Sequence, residues 1–133
     1  MRGTAMDFSL SERQRSWRDR VAGFIDAHVR PANATYKAQM EAFGAQRWQT
    51  PAIVEELKPK ARAEGLWNLF LAPSPEHDEG EFRGAGLTNL DYALCAEEMG
   101  RLAWSSEVFN CSAPDTGNME LLHRYGSAEQ KAR

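Results

Sequence analysis

The sequence predicts an all-α domain, and three observations carry that prediction. Ala, Leu and Glu together supply 43 residues, against 11 for Val, Ile and Thr; straight-chain residues and Ala keep rotamer freedom in helices, whereas β-branched residues favour strands. Apolar residues recur at helical spacing in several segments. Capping residues and glycines stand where those segments begin and end. A length of 133 residues suits a single domain.

The first helix is expected from Ser9 or Ser11, either of which can cap the free N–H groups of the opening turn. Leu10, Trp17, Val21, Phe24, Ile25 and His28 fall on one side, and Arg15, Asp19, Asp26 and Arg30 fall opposite. Pro31 ends it, because the residue before proline is pushed out of the α region. A shorter polar helix is expected over 32–43, stopped by Gly44. Thr50 and Pro51 read as N-cap and first helical position of the next helix, with Ile53, Val54, Leu57 and Ala61 as its inner stripe. Pro59 lies inside that helix but projects from the face opposite the stripe, where a kink is tolerable. Gly65 ends it, and LWNLFLA follows as a buried connection.

Residues 73–86 are rich in Pro, Gly and acid and read as a loop. Thr88 then caps a helix over 89–99, closed by Gly100. Its apolar arc is Tyr92, Ala93, Cys95, Ala96, Met99 and Leu102, with Leu90 and Leu94 elsewhere, so a central helix is expected. The stretch 104–114 is less periodic and suggests a short helix broken by Pro114. Asp115 is expected to cap a helix carrying Met119, Leu121, Leu122 and Tyr125, closed by Gly126. Ser127 and Gln130 form a capping box that opens a last helix, which stops within a few residues and suggests truncation.

Composition excludes several classes. Hydrophobic residues make up 42% and charged residues 26%, values that rule out disordered and collagen-like chains. Sixteen basic and nineteen acidic residues are well mixed, with a net charge of −3, which argues against a nucleic-acid partner. No apolar run approaches the roughly 18 residues of a transmembrane segment. The opening residues lack the apolar stretch of a signal peptide, so a cytoplasmic protein is expected. Met6 offers an alternative start that would make residues 1–5 an extension. Cys95 and Cys111 have no CxxC pairing, which favours reduced thiols over a disulfide.

Candidate chemistry is sparse. His77, Asp78, Glu79 and Glu81 offer oxygen and nitrogen ligands, but EF-hand spacing is absent and a solvated acidic loop is the simpler reading. Glu97 and Glu98 point about 100° apart on a helix, so ion pairing with Arg101 accounts for them better than acid/base catalysis. Cys111 has no local His to form a thiolate, His123 being 12 residues on. His28 reads as a packed, hydrogen-bonded residue. The aromatic set Trp17, Phe24, Trp48, Trp67, Phe70, Phe82, Tyr92, Trp104 and Phe109 reads as core, with Trp104 and Phe109 the alternative borders of an apolar groove. No Walker loop, dinucleotide fingerprint, nucleophile elbow or zinc helix occurs. Neither a catalytic residue nor a metal site is assigned.

Four segments in order nevertheless resemble one family. DFSLSERQRSWRDRVAGFIDAHVRP (7–31), LKPKARAEGLWNLFLAP (57–73), LTNLDYALCAEEMGR (87–101) and FNCSAPDTGNMELLHRYGSAEQKAR (109–133) are similar to acyl-CoA dehydrogenases. The wording is closest to the branch containing human family members ten and eleven. The resemblance implies a three-part enzyme of which residues 1–133 are the N-terminal helical domain, the middle β-domain and C-terminal helical bundle lying outside this sequence. It implies oxidation of the Cα–Cβ bond of an acyl-CoA in fatty acid metabolism, a glutamate taking the α-proton and FAD the β-hydride. It implies electron-transfer flavoprotein as acceptor and a homo-oligomeric enzyme, dimer or tetramer. The base and most FAD contacts belong to the other parts, so no catalytic or cofactor-binding residue is carried over. Counting back from Gly126–Lys131, the candidates to line the acyl pocket are Phe109, Asn110, Ala113, Pro114 and Gly117. Pro114 departs from relatives that run a continuous helix there. The 133-residue chain alone is expected to be inactive and to expose apolar surface. The alternatives are a stand-alone helical interaction module and one chain of a split enzyme.

Overall fold

The computed structural model describes residues 8–74 and 84–132, and all its regular elements are helical. Helix α1 (Glu12–Phe24) starts on a capping box: the Ser11 hydroxyl accepts from Gln14 N–H, and the Gln14 side chain accepts from Ser11 N–H. Its last turn widens into a π-helical turn over Ile25–Val29. The widening corrects the inner face drawn from regular spacing. Each π turn takes up an extra residue, so Val29 rotates fully into the core and His28 turns partly outward.

Helix α2 (Asn33–Ala42) ends near Gly44, whose φ of +54° opens a short 3-10 turn. Helix α3 (Ala52–Ala63) begins one residue later than expected: Pro51, not Thr50, is the N-cap. Pro51 brings no side-chain cap, and Gln39 of α2 supplies the missing acceptor for Ile53 N–H at 3.0 Å. Val54, Leu57 and Ala61 are buried, and the helix runs through Pro59. Gly65 (φ +70°) closes it in a Schellman motif. Leu66 N–H donates to Ala61 O and Gly65 N–H to Arg62 O, which drops Leu66 straight into the core.

Helix α4 (Asn89–Met99) is capped by Thr88 with Asp91 closing the box. It packs on α1 along Cys95 and Met99. The expectation of a central helix is corrected here, because Leu90, Ala93 and Glu97 are exposed. Apolar residues all round reflect one packed face and one bare one. Helix α5 (Ser105–Val108) packs on α3, where Lys58 bridges Glu55 and Glu107 at 2.8 and 2.9 Å. The Ala113–Pro114 peptide is cis, and Pro114, not Asp115, stands at the N-cap of α6 (Asp115–Tyr125). Ser127 and Gln130 form the expected box before α7 (Ala128–Ala132).

The core joins Val21, Phe24, Ile25 and Val29 of the first helical segment to Val54, Leu57, Leu66, Leu69, Met99, Val108 and Phe109. Trp48 is an exception among the aromatics read as core, being 94% exposed. Trp104 is buried, stacks on Tyr36 at 4.5 Å and donates to Asn33 Oδ1. Among the described residues no helix is long and apolar enough to cross a membrane.

Candidate functional site

An open groove of about 610 Å³ lies between the connection after α3 and the last two helices. Trp67, Asn68, Phe70 and Leu71 form one side; Met119, Leu122 and His123 of α6 form the other. Gln130 and Lys131 of α7 and Arg62 of α3 stand on its rim. Gly84 lies so close to the Leu71 backbone that a Cβ there would collide with its carbonyl oxygen. Among the described residues the lining contains Arg62 and Lys131 and no Asp or Glu.

Two asparagines cross the groove. Asn68 and Asn110 both hold positive φ, 53° and 54°, a region that asparagine tolerates better than most residues. Asn110 Nδ2 donates to Asn68 Oδ1 at 2.7 Å and approaches Met119 Sδ at 3.2 Å. Asn68 N–H donates to Phe109 O. The pair fastens the Trp67–Leu71 connection to the turn after α5.

Of the five residues expected to line an acyl pocket, Asn110 lines this groove. Phe109 is fully buried, with its ring edge-on to Phe24 at 5.4 Å. Ala113, Pro114 and Gly117 lie together on an exposed surface at the start of α6. Among the described residues Trp67 and Phe70, rather than Trp104 and Phe109, border the groove, and Phe82 lies outside the described residues. No local motif marks Arg62 or Asn68, since they come together with Asn110 only through the fold.

The remaining candidates resolve simply. Glu97 and Glu98 both pair with Arg101. Cys95 and Cys111 are free, buried thiols. Burial pushes each up to about 11, outweighing for Cys111 the hydrogen bonds from Phe70, Leu69 and Tyr92. A thiol held protonated in this way is no nucleophile. His28 packs on Phe24 at 4.8 Å with Nε2 3.9 Å from Glu64 Oε1. The His77–Glu81 cluster lies outside the described residues, and among those described no group of three or more His, Cys, Asp or Glu gathers round a metal position.

A flavin dinucleotide would need a cradle for its pyrophosphate, and helix N-termini are the usual source. Here the first turns of α1, α3, α4, α6 and α7 already carry Glu12, Glu55, Asp91, Asp115 and Glu129. Those carboxylates complement the helix dipoles and repel a phosphate. Those helix starts therefore do not offer a pyrophosphate site, and α2 is the one described α-helix with no acid in its first turn.

Comparison with known proteins adds three findings. The family described as acyl-CoA dehydrogenase, N-terminal domain, matches residues 11–133. Mouse acyl-CoA dehydrogenase family member 10 is 49% identical over 124 residues, covering 93% of this chain and 11% of its own, and human family member 11 is 44% identical over 115 residues, covering 84% and 13%. A solved structure from Mycobacterium abscessus, assigned to the acyl-CoA dehydrogenases, superposes with a TM-score of 0.74 at 47% identity, covering 94% of this chain and 31% of that one. The chain thus spans less than a third of the length of each of these relatives.

Proposed function

The chain belongs to the acyl-CoA dehydrogenase family, and from that premise we propose that residues 1–133 are the N-terminal helical domain of an FAD-dependent enzyme that oxidises acyl-CoA thioesters. The observation that carries the reading is the family match over residues 11–133, joined to the fold shared with the M. abscessus structure. FAD supplies hydride acceptance in such an enzyme. Most of its contacts are assigned to the parts beyond this domain, with the catalytic base, in keeping with the acids that stand in the first turns of α1, α3, α4, α6 and α7.

The contribution proposed for this chain is one wall of the acyl pocket. Ala113, Pro114 and Gly117 present a low, exposed surface on which an alkyl tail can lie. Phe109 is buried in the core against Phe24, and Asn110 holds the turn after α5 by its bond to Asn68. Excluding water from an alkyl tail is the work of such a wall; no proton or hydride moves through it. Subunit contacts in a homo-oligomer and transfer of electrons to an electron-transfer flavoprotein belong to the same reading.

The test uses two proteins. The 133-residue chain, purified alone, should show neither stoichiometric flavin absorbance nor acyl-CoA turnover. An M. abscessus chimera whose matching domain is replaced by residues 11–133 should show both. Turnover by the isolated chain, or a folded chimera without it, sinks the proposal.

A further inference from the structure

We propose that α2 is a strap that undocks and melts as a unit while the rest of the domain stays folded, baring the indole of Trp104 and the first turn of α3. The inference concerns the fold itself and stands apart from the enzyme reading. It starts from what α2 lacks. None of its ten residues is buried, and its inner stripe is Asn33, Tyr36, Gln39 and Met40, all half-buried and two of them amides. A helix that presents so little apolar surface gains little by docking. No side chain caps its N-terminus, no acid stands in its first turn and no base in its last, where Glu41 meets the negative end of the helix dipole. Ten residues are too few to hold a helix in water without tertiary support. Undocking and melting are therefore one event.

Both ends can absorb the movement. Pro31 precedes α2 and brings no N–H, which leaves a gap in the helical ladder. Beyond α2, Gly44 holds φ +54° and residues 44–50 are all exposed, Trp48 at 94%. A tether this exposed adds little hold. What fastens the strap is a latch of ring and polar contacts. The Tyr36 ring stacks on Trp104 at 4.5 Å with the planes 3° apart, and Asn33 Oδ1 accepts from Trp104 Nε1 at 3.0 Å. Gln39 Oε1 accepts from Ile53 N–H at 3.0 Å. Each such contact contributes little by itself. The core joins Val21, Phe24, Val54, Leu57, Met99 and Val108 without a buried residue from α2, so it survives the departure of that helix. Opening frees two hydrogens that lie outside α2, the indole N–H of Trp104 and the amide N–H of Ile53.

Hydrogen exchange followed by NMR on the 133-residue chain tests this, each rate being corrected for its intrinsic value. The amides of α2 should exchange at least about tenfold faster than those of Val21, Phe24, Cys95 and Met99. The sharper result lies outside the strap. Ile53 N–H and the Trp104 indole N–H should exchange at the α2 rate, whereas Leu57 and Ala61 of α3 follow the slow core. Tyr36→Ala should speed α2, Ile53 and the Trp104 indole together by about threefold to tenfold and leave the core amides unchanged. Amides of α2 as slow as the core overturn the proposal. So does exchange of Ile53 or the Trp104 indole at the core rate, because the helix would then not carry its latch away. A Tyr36→Ala chain that speeds every helix equally, or none, overturns it as well. The unsubstituted chain decides the matter by itself if that variant does not fold.

Discussion

Asn68 and Asn110, 42 residues apart, share one left-handed backbone conformation and one 2.7 Å amide hydrogen bond. Each half of that relationship makes the other tolerable. The side-chain bond holds the two turns together, and the positive φ values aim the side chains at each other.

Substitutions at Asn110 should separate the two halves. Asn110→Ala loses the bond and keeps the strained backbone with a residue that tolerates it poorly, at a cost of about 1–3 kcal/mol. Asn110→Gly loses the same bond but relaxes the backbone, leaving the net change below about 1 kcal/mol. Urea unfolding of both variants checks the order; an equal loss would show that φ is unimportant.

Asp91 should give the domain an acid limb. Its carboxylate is buried, which raises its pKa, yet the Thr88 N–H and hydroxyl hydrogen bonds and Arg13 at 3.4 Å outweigh burial and hold it below the ordinary 3.8. A depressed carboxylate contributes stability that is complete above its unfolded-state value and lost as pH falls through its folded value. Unfolding free energy should therefore fall below about pH 4, and Asp91→Asn should flatten that limb while costing about 1 kcal/mol at neutral pH through the damaged capping box. An unchanged acid limb in the variant would assign it to other carboxylates.

The two buried thiols should produce a limb of opposite sign. Burial raises Cys95 and Cys111 from 9.0 to about 11. The stability this confers is present below the unfolded value and lost as pH rises toward the folded one, so the window runs from 9.0 to about 11. Tyr92, raised first by burial and then by its Cys111 contact, loses stability at still higher pH. The double variant Cys95→Ala, Cys111→Ala should flatten the change over that window in unfolding measured by circular dichroism. A persistent slope would rule the thiols out as its source.

Much of this architecture is written locally. The Ser11, Thr88 and Ser127 caps sit where their side chains say, because a hydroxyl accepting from a residue three positions on needs no distant partner. Gly65 likewise marks its Schellman turn, since only a residue without Cβ takes φ +70° freely. What was not legible depends on tertiary neighbours. The π turn at Ile25–Val29 follows the core's need for Val29, and the shift of the α3 cap to Pro51 is made acceptable by Gln39, 14 residues earlier than Ile53. The groove is the extreme case. Arg62 and Asn68 carry no motif, and only the chain path brings them beside Asn110, which the resemblance had singled out.

Phe109 and Gly117, both assigned to the acyl pocket, should fail in opposite ways. Phe109 is fully buried against Phe24, so Phe109→Ala should cost about 3–5 kcal/mol of stability in the 133-residue chain itself. A Cβ on Gly117 meets nothing within 4 Å, and a helix interior favours other residues over glycine by about 1 kcal/mol. Gly117→Leu should therefore leave the isolated chain at least as stable as before. In the active chimera the same leucine occupies the surface on which the alkyl tail is proposed to lie, and kcat/KM should fall more for long-chain than for short-chain acyl-CoA. The comparison requires only a melting curve and two substrates. An unchanged long-to-short ratio in Gly117→Leu would take residue 117 out of the pocket wall, whatever the stability of Phe109→Ala turns out to be.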